Sequence, residues 1–391
     1  MMSQWNHSYM PIYNRMGYNE TYGFTYFSEF NRLQNGLQYA EAFFLISIFL
    51  FSLTENGLLL VVVFTSPKLR NASNAFEGNM ALSSLLFILV APMIAVGRVT
   101  ESWLLGDLAC KFSMLMLPVT SVVLIWSMVL VSIDRYRKVM TPGRQQLHRT
   151  HVIISVAAIW LISMVNIAHG IYSQVITIEV NNRTISYCTL IFPKSDGLTV
   201  NTFLFAYWIG TTVVIPISII LHNYIKILHK LHTVKMKLEG FSTPLNNSTI
   251  GRKHQQTILA RRNKKHRRIV ITLLCIMVLF ILMWSPAFIA VVLIQYNSVT
   301  HQQKMLSRVF VGSLITCFLN TCVNPFLYGY NDDKINRTMK RHIVRFCSCI
   351  EKRRTPVNRA GSAARQSMLD SEVLTELQSS AVDWIILLPF T

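Results

Sequence analysis

Apolar residues along this chain gather into seven long runs, at 40–64, 76–97, 108–133, 151–173, 201–229, 269–295 and 308–330. A helix needs about 20 residues to cross a hydrocarbon core, and each run reaches that length. None alternates with period two as a barrel strand would. A backbone in lipid must satisfy its own polar groups, so each run predicts a membrane-spanning helix. The apolar tail piece from Trp384 to Phe390 is too short to span. Polar, basic sequence rich in Ser, Thr and Asn fills 232–263 and 352–391, and it predicts disorder there. The expected organisation is an N-terminal segment 1–39, a bundle 40–330, an amphipathic membrane-surface helix 331–349 and a disordered tail 350–391. The fold class is thus an all-α membrane protein, a seven-transmembrane-helix bundle with a short amphipathic eighth helix.

Composition agrees with this pattern. Of the 391 residues 52% are hydrophobic and only 14% charged, where a soluble domain carries about 25% charged. That excludes a disordered basic protein and argues against a soluble nucleic-acid binder. Lys and Arg number 37 against 18 Asp and Glu, a net charge of +19. With the N-terminus placed outside, 29 of those 37 fall on the inner side. Two lie in the first inner loop, five in the second, twelve in the third and ten in the tail. The positive-inside rule then orients the chain with its N-terminus extracellular and its C-terminus in the cytoplasm. Taken alone, the run Arg261 to Arg268 resembles a nucleic-acid or nuclear-localisation patch. Between two membrane helices it reads as an orientation signal, and no nucleic acid is expected as a partner. Residues 1–38 hold no signal-peptide core, so the first helix is expected to act as signal anchor in a multi-pass plasma-membrane protein. Asn6, Asn19 and Asn182 open glycosylation sequons on the outer side.

Seven cysteines divide by place. Cys275, Cys317 and Cys322 lie within spans and are expected to pack as small apolar residues. Cys110 and Cys188 are the only two on the outer, oxidising side and are therefore candidates for a disulfide, though sequence alone does not prove the pairing. Cys347 and Cys349 follow the seventh span and are read either as acyl-chain acceptors or as free cytosolic thiols. No Cys/His spacing resembles a zinc site, and neither a metal nor a cofactor is expected.

Polar groups and prolines inside the spans call for a reason. Asp134-Arg135-Tyr136 lies at the inner end of the third run, about 37 Å of helix from Cys110. Pro216 interrupts the fifth run, with Tyr224 two turns on. Trp284-Ser285-Pro286 interrupts the sixth, and Asn324-Pro325-Phe326-Leu327-Tyr328 the seventh. Proline removes a backbone donor and kinks a helix. Kinked helices beside an inner arginine make a bundle able to move at its cytoplasmic end.

With Asn56, Trp160 and the outer cysteines, these motifs stand in the order found in rhodopsin-like (class A) G-protein-coupled receptors, which the chain resembles over about residues 40–349. The resemblance implies a non-enzymatic receptor that activates a heterotrimeric G protein. It places Ile125, Pro216 and Phe280 as a connector between pocket and inner face, with Trp284 above them and Arg135, Tyr224 and Tyr328 rearranging below. Tail hydroxyls such as Ser362, Ser367 and Thr375 are candidates for phosphorylation and arrestin binding. Three blocks resemble the long-chain free-fatty-acid receptor family: Thr100 to Gly106, Ile185 to Pro193 and Phe280 to Pro286. This narrower resemblance implies a Gq-type partner and makes Arg98 a candidate for a lipid carboxylate.

The pocket residues expected are Arg98, Trp103, Met114, Trp208, Thr212, Trp284, Phe288 and Phe310. The aspartate of amine receptors and the lysine of opsins are absent, with Leu117 and Phe318 in their places. An apolar slot with one cation at its rim suits a fatty acid. Pro118, Leu204, Thr212 and Val311 depart from that family, so a peptide ligand stands as the alternative. The same aromatics also suit plain bundle packing, with Arg98 an interface anchor. Two further departures concern charge. Ser84 stands where the family has a helix 2 acid, and Glu55 either replaces that acid near Asn56 and Asn324 or faces lipid or a neighbouring helix. His266 stands where an acid often holds Arg135, so Arg135 is expected to lean only on Asp134, with raised basal activity. A transporter or channel would predict internal repeats and several buried charges, and the sequence has no repeat and only Glu55 deep in a span.

Overall fold

The computed structural model describes residues 9–12, 21–24, 26–27, 36–69, 71–141, 147–180, 183–191, 200–240, 271, 274–294, 306–331, 335 and 337–344. Among them seven helices are long and apolar enough to cross a membrane: α1 (Leu37–Thr65), α2 (Ala72–Thr100), α3 (Gly106–Met140), α4 (Arg149–Ile171), α5 (Thr202–Val234), α6 (Leu274–Ile294) and α7 (Leu306–Asn331). They fall on the seven expected runs. α3 extends past its apolar run, so Asp134-Arg135-Tyr136 sits inside the helix rather than at its end. The helix of α5 likewise continues beyond its span to Gly240. A short helical stretch covers 337–344, and Ile335 just before it is buried against Leu59, Val62, Val63, Leu69 and Ala81 at the foot of α1 and α2.

Large apolar side chains such as Phe43, Phe44, Leu161, Ile225 and Leu282 point outward, while α3 is buried along most of its length. An exposed apolar surface of this extent would aggregate in water and is ordinary in lipid. Polar side chains tie the buried helices together. Trp160 Nε1 of α4 donates to Asn79 Oδ1 of α2 at 3.0 Å, and Asn79 Nδ2 donates to Ser127 Oγ of α3 at 2.8 Å. Asn223 of α5 donates to Ser132 Oγ of α3 at 3.0 Å.

Each kinking proline leaves a carbonyl without its helical donor, and in three helices a neighbour supplies one. α5 contains a π-helical turn, Gly210–Val214, just before Pro216, and the Thr211 carbonyl there accepts from Trp126 Nε1 of α3 at 2.8 Å. Around Pro286 the Leu282 carbonyl accepts from Ser285 Oγ at 3.1 Å, and the Met283 carbonyl accepts from Thr316 Oγ1 of α7 at 2.7 Å. Below Pro325 the Thr321 carbonyl accepts from Asn56 Nδ2 of α1 at 3.1 Å. α2 bends at Leu89, where Pro92 cannot donate to Ile88.

Two hairpins stand at the α3 N-terminal end and were not expected from the sequence. β1 (Tyr9–Ile12) pairs antiparallel with β2 (Thr21–Phe24). β3 (Ser173–Val180) pairs antiparallel with β4 (Arg183–Leu190), in register from Ser173↔Leu190 to Val180↔Arg183. The Cys110–Cys188 disulfide pins β4 to α3, and the Trp103 amide donates to the Ser186 carbonyl at 2.7 Å. Asp107 Oδ1 accepts from the Val175 amide at 3.1 Å. The pairing expected from elimination is therefore present.

Candidate ligand site and switch

The expected pocket residues separate into two tiers of aromatic rings. Deep in the bundle, Trp284 stacks on Phe280 at 5.2 Å and on Phe87 at 5.4 Å between ring centroids. Phe288 bridges Trp284, at 6.1 Å, to Trp208, at 5.2 Å. Trp208 is held by its Nε1, which donates to Ser121 Oγ of α3 at 3.0 Å. Thr212 is buried and donates its hydroxyl back to the Trp208 carbonyl within α5. Ile125 and Phe280 lie in the same buried cluster, and Pro216 is buried on α5. Phe87 belongs to this tier and was missed from the sequence, since nothing marks one phenylalanine of an apolar run as facing Trp284.

Nearer the hairpins, Trp103 and Phe310 form the second tier. Trp103 is fixed by Nε1 donating to the Gly106 carbonyl at 2.9 Å. Met114 is buried in the common core. Arg98 differs from expectation. It is not a rim cation awaiting a carboxylate: its side chain is 4% exposed, and its Nε donates to Glu41 Oε2 at 2.6 Å. With a carboxylate from α1 already beside it, Arg98 offers less net positive charge to a second carboxylate. Glu41 carries no sequence signal of its own, because the pair joins residues 57 apart on different helices.

At the other end, Asp134 is held by Ser73 Oγ of α2 and by Lys138 Nζ at 2.6 Å, with Lys138 also reaching Ser73 Oγ at 3.0 Å. The expectation that Arg135 leans on Asp134 is thus not met: the partners of Asp134 are Ser73 and Lys138, and the ion pair of Arg135 among the described residues is with another acid. Arg135 Nη2 lies 3.9 Å from Glu77 Oε1 of α2, a carboxylate buried to 5% beside an arginine 24% exposed. Tyr136 is half-buried and Tyr224 buried. His266 lies outside the described residues. Pro325 is buried, and Tyr328 is placed in α7 by its backbone.

Asn56 is engaged with Ser52 and Thr321, and the Ser52 and Thr321 hydroxyls meet at 2.8 Å. Glu55 is half-buried and makes no hydrogen bond or ion pair among the described residues. No hydrogen bond among the described residues joins Glu55 to Asn56 or Asn324. Ser84 Oγ, Asn324 Oδ1 and Trp284 Nε1 are buried without a hydrogen-bond partner among the described residues. Buried orphans of this kind are uncommon in a fully settled core. Asn6, Asn19, Asn182, Cys347, Cys349 and the tail hydroxyls lie outside the described residues.

Against known proteins, the family described as 7 transmembrane receptor (rhodopsin family) matches residues 55–328. The chain is 25% identical over 346 residues to the type-1 angiotensin II receptor B of Xenopus laevis, covering 83% of this chain and 85% of that one. It is 23% identical over 303 residues to the neuropeptide FF receptor 1 of Rattus norvegicus, covering 74% and 67% respectively. The crystal structure of squid rhodopsin has the same fold, with a TM-score of 0.64 at 18% identity over 82% of this chain and 89% of that one.

Proposed function

Because the chain belongs to the rhodopsin family of seven-transmembrane receptors, we propose that it binds an extracellular peptide and thereby activates a heterotrimeric G protein. It is a multi-pass membrane protein, and its family consists of signalling receptors rather than enzymes. The plasma membrane is its proposed site, with the disulfide-bearing end outside. The excess of basic residues at the opposite end supports that orientation, as does the disulfide itself.

One observation carries the choice of ligand: Arg98, the cation on which the fatty-acid reading rested, is buried against Glu41. The similar receptors named for angiotensin II and neuropeptide FF favour a peptide as well. A ligand acts only through contacts that differ between two states. Here the contacts would reach Trp284 through Phe288 and Trp208. A shift of Trp284 on Phe280 tilts α6 about Pro286, and Arg135 leaves Glu77 as the inner end opens to the G protein.

A screen in cells expressing the receptor tests the ligand class. A tissue peptide extract is expected to raise second-messenger output, with the activity destroyed by prior protease digestion. Activation by a long-chain fatty-acid panel, with every peptide fraction silent, would overturn the reading.

A further inference from the structure

Phe24, Tyr26 and Phe27, ahead of α1, pack on the outer aromatic tier, the mouth of the proposed ligand site. Phe24 and Phe27 are buried, Phe27 to 1% exposure. The Phe27 ring lies 5.5 Å from Trp103 and 6.4 Å from Phe310. Tyr26 meets Phe310 edge-on at 5.5 Å, and Phe24 meets Tyr26 edge-on at 4.8 Å. The backbone is tied down from two sides. Thr189 Oγ1 of β4 donates to the Phe24 carbonyl at 2.8 Å, and Ser307 Oγ in the first turn of α7 donates to the Tyr26 carbonyl at 3.5 Å. Thus an aromatic peptide segment of the chain occupies two of the positions that the sequence assigned to a ligand, Trp103 and Phe310.

We propose that this segment is a built-in occupant of the mouth that competes with the peptide ligand, and that the ligand enters by placing an aromatic side chain of its own where Phe27 sits. The second clause rests on the peptide reading above; the first does not. Among the described residues the ring contacts of Phe24, Tyr26 and Phe27 reach Trp103 and Phe310, while Trp284 is packed by Phe87, Phe280 and Phe288. An occupant that stops at the mouth lacks differential contact with the switch, so it holds the site rather than activating it. The ligand's apparent affinity is lowered by the fraction of receptors whose mouth is closed.

Thiol accessibility tests this without any ligand. Ser307 is fully buried under Tyr26, and Ser307→Cys makes it a reporter for a membrane-impermeant methanethiosulfonate applied to intact cells. The parent chain gives the background, and surface staining confirms equal display. Adding Phe27→Ala is expected to speed labelling about tenfold through the lost aromatic burial, whereas Phe27→Leu keeps the apolar bulk and stays near the slow rate. Equal labelling rates in the Ala and parent backgrounds would overturn the occlusion. So would a fall in basal signalling with Phe27→Ala, which would mark a tethered activator instead. The aromatic clause has its own probe, a synthetic peptide of residues 21–30. It is expected to slow labelling of the Phe27→Ala receptor, while the same peptide with its Phe27 replaced by Ala does not. Equal protection by both peptides, or by neither, would overturn that clause. A fatty acid found as the activator would remove the peptide reading and leave the labelling result intact.

Discussion

Two carboxylates on different helices, Glu41 and Glu77, lie beside Arg98 and Arg135. Glu41 and Arg98 are both taken out of water, and removing one partner strands the other. Glu41→Gln or Arg98→Met alone is expected to cost about 3 kcal/mol, read as a lower thermal midpoint of the detergent-purified receptor. The double variant Glu41→Leu, Arg98→Met is expected to recover most of that loss, since an apolar pair of similar bulk needs no counter-ion. A double variant as unstable as the singles would contradict the pairing. At the other end, Glu77 is the described counter-ion of Arg135. The pair is long and partly solvated, so Glu77→Gln is expected to shift the resting equilibrium by about 1 kcal/mol, a fivefold rise in ligand-free signalling. Unchanged basal signalling in that variant would show that Glu77 does not restrain Arg135. The Arg135 motif was legible in the chain, but its partner was not. The chain's pattern points to an acid on α6 or to Asp134, whereas the acid lies on α2, separated by 58 positions that no local pattern connects.

Among the elements, α5 shows best what a proline does in this bundle. The π-helical turn at Gly210–Val214 gives up regular hydrogen bonding, and Trp126 supplies the donor that Pro216 cannot. Trp126→Phe keeps the ring and deletes the donor, leaving a buried carbonyl unmet. It is expected to destabilise the purified receptor by about 1–3 kcal/mol, measured by the thermal midpoint, with Trp126→His partly restoring it. The kinks themselves were readable, because Pro216, Pro286 and Pro325 interrupt apolar runs. The groups that answer them were not, since Asn56 and Thr321 are 265 residues apart. The β3–β4 hairpin was missed for another reason. Its Val175, Ile176, Thr177 and Ile178 face Cys188, Tyr187, Ser186 and Ile185, a β-branched run that reads as strand once a sheet is considered.

For the molecule as a whole, the proposed signal starts at two aromatic tiers beneath one disulfide-pinned hairpin and ends at Arg135. The seven spans followed from the placement of apolar residues, which lipid enforces along the entire chain. Ligand class did not follow, because it turned on whether one buried arginine was already paired. The central claim is that a peptide bound at the disulfide end drives nucleotide exchange at the Arg135 end. The direct measurement is GTP-analogue uptake by a heterotrimeric G protein mixed with the purified receptor in lipid nanodiscs, with and without a protease-sensitive peptide fraction. The peptide fraction is expected to accelerate uptake with the intact receptor and to do nothing with Arg135→Ala. Uptake that ignores the peptide fraction and answers to fatty acids, or that survives Arg135→Ala unchanged, would contradict the account.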